Sequence, residues 1–430
     1  MKNIIIGSGP AGRLAGLELG KLGEEVLLIE KKYIAGNCLN EGCMVICALN
    51  DIARFLNNKK RFEKLGLLEG KLRVSYEKIV EKIVETQEII RSIHQKENES
   101  YNNHIIYGEA KISEDEVVVN GESFQYDKLL IATGGRPFVP SIKGSEKGLT
   151  SKDILKIKDI PEKLNIIGGG HIATELASLF SSFGSEVNLI VRNKVIDELD
   201  EDLREYILKK ILKDVNIYEN QDVLEIKRNN LITSKSQFEG KTLFATGRLP
   251  NSEIAKDLVE LDNKGNIKVN EFMETSKNNV YGAGDVVGGM NLTTVARMEG
   301  IVAARNMAGY STIMDYKNIP QSFTLDMDVG YTKLKEDEKN DVINVSMPGS
   351  AGPGAFWRVL SRDTGFSKVS YNKNTKEITG AYGISPSSVS DLAFISYLLK
   401  TNQDFEDFAE EFVEIHPTTN IFHHIIERIT

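Results

Sequence analysis

The sequence predicts an α/β protein with two copies of a strand–turn–helix–strand unit and a C-terminal α+β part. The first copy spans residues 3–30, and the second, with the same order of elements, spans residues 164–192. Each copy has an apolar strand, a glycine-rich turn, a helix rich in Leu and Ala and a second apolar strand, which is the pattern of a βαβ unit. Because the pattern recurs about one domain later, we interpret it as two related domains rather than a solenoid.

The last part of the chain, from about residue 315, has a different pattern. β-rich segments such as FWRVLSRDTGFSKVSYN (356–372) alternate there with later helical segments. This pattern predicts a separate third domain. The connector GGRPFVPSIKG (134–144), rich in Pro and Gly, separates the two βαβ copies, and a similar segment, ATGRLPNSEI (245–254), follows the second copy.

Composition and charge limit the class of protein. A chain of 430 residues exceeds what one hydrophobic core usually organises, so several domains are expected. The net charge of −9 argues against broad nucleic-acid binding, because phosphate contacts need clustered Lys and Arg. The apolar run at residues 4–6 is too short for a secretory signal or a membrane span, so we expect a cytoplasmic protein with no membrane anchor.

The first glycine-rich turn has the G-x-G-x-x-G spacing of a dinucleotide site. Gly7 would make the tight turn, Gly9 would let the backbone approach a pyrophosphate, and Gly12 would let helix and strand pack closely. Free N–H groups at the start of the helix would hold the phosphates. Glu30 ends the second strand, where a carboxylate accepts from ribose hydroxyls. The alternative is a turn that binds no ligand, and the combination of strand, helix and terminal acid favours a bound dinucleotide.

The second glycine-rich turn repeats this spacing with an alanine at the last position. Its fingerprint residues are Gly168, Gly170 and Ala173. No acid ends the following strand; Arg192 comes next, with Lys194 two residues further on. An arginine pairs with a 2′-phosphate that a carboxylate would repel, so this site favours NADPH over NADH. The alternative is that Arg192 is an ordinary surface charge.

Cysteine occurs at only three positions, Cys38, Cys43 and Cys47, all within one short segment. A secreted disulfide framework would spread an even number of cysteines along the chain. Cys38 and Cys43 can close a small disulfide if a loop leads into a helix there, and the helix dipole would favour the thiolate of Cys43. A zinc site, which needs about four ligands, and buried structural thiols are the alternatives. The position beside a dinucleotide fold favours redox chemistry.

With these parts in order, the chain resembles the pyridine nucleotide–disulfide oxidoreductase family, which includes lipoamide dehydrogenase, glutathione reductase and mercuric reductase. Besides the two fingerprints, the resemblance rests on GNCLNEGC (36–43), LLIATGGRP (129–137), LFATGRLPN (243–251), VYGAGDV (280–286) and EIHPTTN (414–420). It implies two Rossmann-like domains that bind FAD and NAD(P), plus a C-terminal α+β dimerisation domain. The implied boundaries are residues 1–138 and 252–314 for a discontinuous FAD-binding domain, 139–251 for the NAD(P)-binding domain and 315–430 for the dimerisation domain.

The resemblance also implies where the cofactors bind. FAD would lie at the first fingerprint, with Glu30 on the adenosine ribose, Asp285 at the ribityl–phosphate region and Thr293 close to the flavin. The nicotinamide nucleotide would lie at the second fingerprint. NADPH is expected there, with NADH as the alternative. Further residues expected at the cofactors are Asn37, Cys47, Ala110, Thr133, Gly134 and Gly247.

The family mechanism assigns a role to each of three residues. Hydride would pass between nicotinamide and flavin on one face of the flavin. On the other face Cys43 would touch the flavin, and Cys38 would exchange with a small-molecule or lipoyl-type disulfide. His416 would act as acid/base, reaching in from the partner subunit, which implies a homodimer. Histidine suits this role because its ordinary pKa lies near neutral pH.

The chain departs from the family pattern beside its reactive groups. Cys47 stands where the family has a lysine near the flavin, one helical turn after Cys43. It is either a third redox thiol or a passive apolar replacement. Ile421 stands where a glutamate normally orients the base, and Glu414 is the candidate substitute. Loss of an orienting partner lowers catalytic rates strongly. A flavin-binding redox sensor or assembly partner without disulfide turnover is therefore the alternative function.

Overall fold

The computed structural model describes residues 2–332, 341–401, 403–414 and 420–429. Strands in these ranges are β1 (Asn3–Ile6), β2 (Val26–Glu30), β3 (Asn103–Tyr107), β4 (Lys111–Ile112), β5 (Glu116–Val119), β6 (Glu122–Gln125), β7 (Lys128–Ile131), β8 (Gly135–Pro137), β9 (Leu149–Thr150), β10 (Lys163–Ile167), β11 (Glu186–Ile190), β12 (Asn216–Tyr218), β13 (Val223–Lys227), β14 (Asn230–Thr233), β15 (Gln237–Glu239), β16 (Lys241–Phe244), β17 (Arg248–Pro250), β18 (Val280–Gly282), β19 (Gln321–Thr324), β20 (Asp328–Tyr331), β21 (Val342–Pro348), β22 (Phe366–Asn372) and β23 (Ile378–Ser385). Helices are α1 (Pro10–Lys21), α2 (Gly36–Asn40), α3 (Cys43–Lys64), α4 (Tyr76–Glu99), α5 (His171–Ser182), α6 (Glu201–Tyr206), α7 (Thr293–Met307), α8 (Ser388–Thr401), α9 (Phe405–Glu411) and α10 (Ile421–Ile426).

The first βαβ unit belongs to a parallel sheet. Within the described ranges the strand order of this sheet is β18-β7-β1-β2-β3, and β1 pairs in parallel with β2 and with β7. Helices α1 and α7 pack on one face, where small residues of both helices are buried together. Since β18 follows the second βαβ unit in sequence, the chain returns to the first sheet, as a discontinuous domain requires. The predicted domain boundaries themselves stay a prediction.

The second βαβ unit forms a sheet of the same kind. Its described strand order is β12-β11-β10-β16-β9, with parallel pairing throughout. Apolar side chains of β10 and β11 are buried with those of α5 in one large cluster, while Ile167 and Ile190 are buried in a second cluster, as expected for strands covered on both faces. The two connectors singled out in the sequence pair with each other: β8 and β17 form an antiparallel ribbon between the two sheets.

The C-terminal part is α+β, as predicted. Its described strands form an antiparallel sheet in the order β19-β20-β23-β22-β21, and α8 and α10 pack on it. One expectation was wrong: Phe356–Ser361, the first part of the predicted β-rich segment, is a short 3₁₀ helix. Its apolar side chains point outward, while the guanidinium of Arg358 is buried and bonds Asp326 at 2.7 Å and Asp363 at 3.5 Å. These ion pairs stabilise the helical turn. In a strand, the side chain of Arg358 would instead point towards the side chains of the neighbouring strands.

No helix in the described ranges is both long and apolar enough to cross a membrane. The parallel sheets instead direct the ends of β1 and β10 towards one shared space. Ligand sites in open parallel sheets lie at the carboxyl ends of the strands, so this space is where the predicted functional residues should meet.

Candidate functional site

A single large cavity connects the two glycine-rich turns and the cysteine segment. Its volume is about 2750 Å³, which is several times that of an ordinary small-ligand pocket. Residues predicted from the sequence line much of its wall: Gly7, Gly9, Glu30, Asn37, Cys38, Cys43, Cys47, Ala110, Thr133, Gly134, Gly168, Gly170, Arg192, Gly247, Asp285 and Thr293. The cavity therefore has room for two extended ligands that meet near the cysteines.

The first glycine turn has the geometry that its spacing predicts. Gly7 has φ +99°, and a Cβ there would lie 2.3 Å from the carbonyl oxygen of Ala132. A Cβ on Gly12 would lie 1.9 Å from the carbonyl oxygen of Gly7, so Gly12 packs the helix onto the turn rather than lining the cavity. Gly9 differs, because a Cβ there would approach only Gly36, at 4.0 Å. The protein itself leaves the space at Gly9 free for a ligand.

The second turn repeats this arrangement. Gly168 has φ +133°, and a Cβ there would lie 2.1 Å from the carbonyl oxygen of Ala245. Ala173 is fully buried, in the packing role of the third glycine. A Cβ on Gly170 would meet no described atom within 4 Å. No described side chain caps the first turn of α1 or of α5, so both helices present free N–H groups to the cavity, which suits phosphate binding.

The acidic residues predicted at the first cofactor lie at the cavity and already have protein partners. Glu30 is buried and accepts hydrogen bonds from Ser8 N at 2.9 Å, Ser8 Oγ at 2.6 Å and Lys32 N at 2.8 Å. These bonds fix its carboxylate at the end of β2, with lone pairs left for a ribose. Asp285 pairs with Arg248 at 3.1 Å. The sequence did not single out Arg248, although it belongs to the quoted segment LFATGRLPN.

The remaining predicted residues lie on the loops and walls of the cavity, and two of them bond neighbouring loops. The Asn37 side-chain amide donates to the carbonyl oxygen of Gly135 at 2.6 Å. Thr133 Oγ1 donates to the carbonyl oxygen of Asn251 at 2.8 Å. Gly134 and Gly247 have φ values of +66° and +111°, and a Cβ on either would meet no described atom within 4 Å. Ala110 is a small buried side chain of the wall.

The cysteine pair sits where two helices begin. Cys38 lies in α2, and Cys43 is the first residue of α3, which is the loop-to-helix arrangement predicted for a C-x4-C disulfide. All three cysteines fall within the described ranges and are free thiols there. The Sγ atom of Cys43 lies 3.5 Å from Thr293 Oγ1, at the N-terminus of α7. Thr293 thus lies beside the cysteine pair, and its predicted position close to the flavin stays a prediction.

The two thiols share one proton. The hydrogen bond from Cys43 lowers the pKa of Cys38 to about 6, with Thr293 and Arg297 acting in the same direction. The same hydrogen bond raises the pKa of Cys43. Both shifts come from the one hydrogen bond between the thiols, and the expectation that the helix dipole favours a Cys43 thiolate stays a prediction. The pair as a unit carries one thiolate near neutral pH.

Cys47 follows Cys43 by one turn of α3 and also faces the cavity. Burial raises the pKa of its thiol, and the neighbouring charges of Cys43, Glu175 and Asp328 add to that effect. It therefore stays a neutral thiol near pH 7, which fits a passive residue better than a third redox thiol.

Glu175 is a cavity residue that the sequence reasoning missed. It lies in α5, one turn after His171, and burial raises the pKa of its carboxyl to about 7. Its Oε1 accepts from the backbone N–H of Thr324 at 2.8 Å, and no ion pair to it is found among the described residues. The family-type lysine that Cys47 replaces would have offered a cation in this region. The signal in the sequence that could have identified Glu175 is its position, an acidic residue one helical turn after the start of α5.

The C-terminal predictions are tested only in part. His416 lies outside the described residues, so its predicted acid/base role stays a prediction. Ile421 is buried in the apolar core of the C-terminal part, which confirms that its position supplies no polar partner. The carboxylate of Glu414 accepts from the backbone N–H of Asn420 at 2.9 Å and lies 3.5 Å from His424 Nε2.

Comparisons with known proteins agree with this arrangement. A family model described as pyridine nucleotide-disulphide oxidoreductase matches residues 1–300. An uncharacterized protein of Methanocaldococcus jannaschii is 31% identical over 435 residues, covering 98% of this chain and 97% of the relative. A dihydrolipoyl dehydrogenase of Geobacillus stearothermophilus is 28% identical over 441 residues, covering 97% and 93%. A solved structure, the HOCl-induced flavoprotein disulfide reductase RclA from Escherichia coli, has a similar fold, with a TM-score of 0.88, 23% identity and 99% coverage of both chains.

The fold and the cavity define a flavoprotein oxidoreductase with two dinucleotide sites. The chain belongs to the pyridine nucleotide–disulfide oxidoreductase family, as the family match over residues 1–300 and the full-length relative at 31% identity show. The family uses FAD and NAD(P)H, and the open space at Gly9 and at Gly170 fits both groups.

Proposed function

We propose that this protein is an FAD-dependent dithiol/disulfide oxidoreductase that moves electrons between NAD(P)H and a substrate disulfide through FAD and the Cys38–Cys43 pair. The observation that carries the proposal is the position of this pair. Two hydrogen-bonded thiols lie on the wall of the cavity onto which both glycine turns open. Bound FAD would supply the two-electron link between a nicotinamide on one side and the sulfur pair on the other.

The residues of the chain then act in a fixed order. NADPH, one proton and a substrate disulfide give NADP⁺ and a substrate dithiol. The oxidised pair is a Cys38–Cys43 disulfide, which two electrons and one proton convert into one thiol and one thiolate. The Cys38 thiolate attacks the substrate disulfide and forms a mixed disulfide; the freed substrate sulfur takes up a proton. Cys43 then gives up its proton and attacks Cys38 Sγ; the second substrate sulfur leaves and takes up a proton, and the Cys38–Cys43 disulfide is restored.

The protonations of this cycle need an acid/base, and we assign that role to His416. The motif EIHPTTN carries the assignment. A group that reaches in from another subunit requires a homodimer. The C-terminal part has exposed apolar side chains that such an interface could cover. They include Val389, Phe394, Tyr397 and Val413. A cytoplasmic location remains a prediction.

We further propose that NADPH is the preferred nicotinamide. Arg192 and Lys194 are exposed at the rim of the cavity directly after β11. Neither has a hydrogen bond or ion pair among the described residues, so both cations are available to a 2′-phosphate. Glu198, on the same loop, has a carboxylate oxygen 3.7 Å from His171 Nε2.

Replacing Arg192 by alanine should therefore change cofactor choice. We expect kcat/KM for NADPH to fall by about tenfold, since a charge-assisted hydrogen bond contributes about 1.5 kcal/mol or more. The value for NADH should stay unchanged, because NADH has no 2′-phosphate. Lys210→Ala, which removes an exposed lysine outside the cavity, is the control. Equal losses with both nicotinamides, or a wild-type preference for NADH, would show that Arg192 is an ordinary surface charge.

The substrate class that we propose is a small-molecule or lipoyl-type disulfide or dithiol. Two dihydrolipoyl dehydrogenases are 28% and 30% identical to this chain, and this similarity supports the choice. A panel of lipoamide, glutathione disulfide, CoA disulfide and quinone acceptors, each with NADPH and NADH, tests it. We expect turnover with lipoamide and a long-wavelength absorption band between thiolate and flavin on reduction.

One alternative keeps the flavin but not the turnover. The thiol at Cys47 and the apolar side chain at Ile421 remove two groups that assist catalysis in the family, which favours a redox sensor or assembly partner. Bound FAD that accepts electrons from NADPH but never passes them to the cysteine pair would support this alternative and contradict the proposed enzyme.

A further inference from the structure

Three side chains near the end of the chain bring metal-binding atoms together outside the cavity. One carboxylate oxygen of Glu414 and one ring nitrogen each of His423 and His424 lie within 4.8 Å of one another. None of the three lines the cofactor cavity. A cluster of this kind needs further evidence before it counts as a site, and the hydrogen bonds of the two imidazoles supply it.

The ring of His423 has one nitrogen with no hydrogen-bond partner. Only 6% of this residue is exposed. Its Nε2 lies 3.1 Å from the carbonyl oxygen of Ala409, and because a carbonyl only accepts, Nε2 must carry the proton. Nδ1 then carries a lone pair and no proton, and it is buried without a hydrogen-bond partner among the described residues. A buried polar atom left in this way costs free energy unless something binds it.

His424 has the complementary arrangement. Its Nδ1 lies 3.0 Å from Glu427 Oε2 and donates to that carboxylate. In the neutral ring, Nε2 then also carries a lone pair and no proton. It nevertheless lies 3.5 Å from the acceptor atom Glu414 Oε1. Two acceptors that face each other repel unless a proton or a cation lies between them.

We propose that Glu414, His423 Nδ1 and His424 Nε2 form a binding site for a divalent transition-metal ion, with Zn²⁺ as the expected occupant. Two imidazoles and one carboxylate are a zinc-type ligand set that leaves one position open for water. Each ring donates its other N–H outward, one to a carbonyl and one to a carboxylate, as metal-bound histidines usually do. Hard ions such as Mg²⁺ and Ca²⁺ prefer oxygen ligands and should bind poorly. The ligands flank residues 415–419 in sequence, so the ion would link the two ends of that segment.

Metal content and affinity of the FAD-loaded protein test the site. We expect one Zn²⁺ per chain by elemental analysis after dialysis, with no retention of Mg²⁺. X-ray absorption at the zinc edge should show nitrogen and oxygen ligands at about 2.0–2.1 Å and no sulfur at about 2.3 Å, which separates this site from the cysteines. Glu427→Gln should weaken Zn²⁺ binding by about tenfold through the orientation of His424.

Loss of a direct ligand should have a larger effect. Glu414→Gln and His424→Ala, both on side chains that are not fully buried, should abolish stoichiometric Zn²⁺ while leaving the unfolding temperature of the metal-free protein close to wild type. His104→Ala removes an exposed histidine on β3 and should leave binding unchanged. Sulfur ligation, full retention of zinc in both variants or no binding at micromolar Zn²⁺ would overturn the proposal and would indicate an ion pair between protonated His424 and Glu414 instead. The proposed oxidoreductase activity stands or falls separately.

Discussion

Replacing Cys43 by serine is expected to lower disulfide reduction by about 10⁴-fold, a loss of the size seen when a nucleophile is removed from a working catalytic unit. Serine keeps the hydrogen bond to Thr293 but cannot form a disulfide with Cys38, so electrons reach the flavin and stop there. Reduction of the bound FAD by NADPH should continue in the variant at nearly the wild-type rate. Stopped-flow absorbance follows the flavin step, and steady-state assays with lipoamide follow turnover.

Cys47→Ser is the matched control for this experiment. It removes a thiol from the same helix and the same cavity. Because burial keeps the Cys47 thiol neutral, we expect unchanged turnover and one fewer titratable thiol. A loss of turnover comparable to that in Cys43→Ser would identify Cys47 as a third redox thiol. Undiminished activity of Cys43→Ser itself would contradict the proposed function.

The sequence predicted the two nucleotide-binding units well because their determinants are local. The apolar runs predicted the strands and helices, and the spacing of the glycines predicted the tight turns between them. Gly7 lies close to the carbonyl oxygen of Ala132, and Gly168 lies close to that of Ala245. These close approaches leave no space for a side chain at either glycine. Cys38 and Cys43 were found for the same reason, since both belong to one short segment.

Long-range relationships were the part that the sequence did not predict. Glu175 meets the cysteines only because α5 and α3 pack together, and Arg248 meets Asp285 only because β17 lies beside β8. The 3₁₀ helix at Phe356–Ser361 depends on the buried ion pairs of Arg358. No periodicity within a segment reports a partner that is distant in sequence.

The thiol pair and the carboxyl of Glu175 form one electrostatic unit. Burial raises the pKa of both Glu175 and Cys47; the charge of Cys43 adds to the shift of Glu175, and the charge of Glu175 adds to that of Cys47. Because position 47 has a thiol and not a lysine, no cation from that position offsets these charges. A negative charge on a cysteine or on Glu175 therefore disfavours a negative charge on its neighbour. The pair as a unit carries one thiolate; the hydrogen bond from Cys43 is the largest cause that lowers the pKa of Cys38, and Arg297 acts in the same direction.

Two single substitutions should separate the two cofactor sites. Gly9→Ala is expected to weaken FAD binding, and Gly170→Ala to weaken NADPH binding, each by about 10- to 100-fold. An added methyl that presses on a well-packed neighbour costs about 1–3 kcal/mol, and here the only neighbour would be the pyrophosphate. Retained flavin absorbance reports the first variant, and the KM for NADPH reports the second. Each variant serves as the control for the other.

Both variants should fold normally without their ligands, which makes the result specific. Neither glycine has a positive φ, and a Cβ at Gly9 or Gly170 would come no closer than 4.0 Å to any described atom. Alanine at Gly7 or Gly168 should instead destabilise the whole domain, because its Cβ would meet a carbonyl oxygen at 2.3 or 2.1 Å. If Gly9→Ala and Gly170→Ala bound both cofactors normally, the pyrophosphates would not lie at these turns. The first glycine of each fingerprint is therefore required by the fold, because a side chain there would clash with the protein. The second glycine is required by the ligand, because a side chain there would clash only with a bound pyrophosphate.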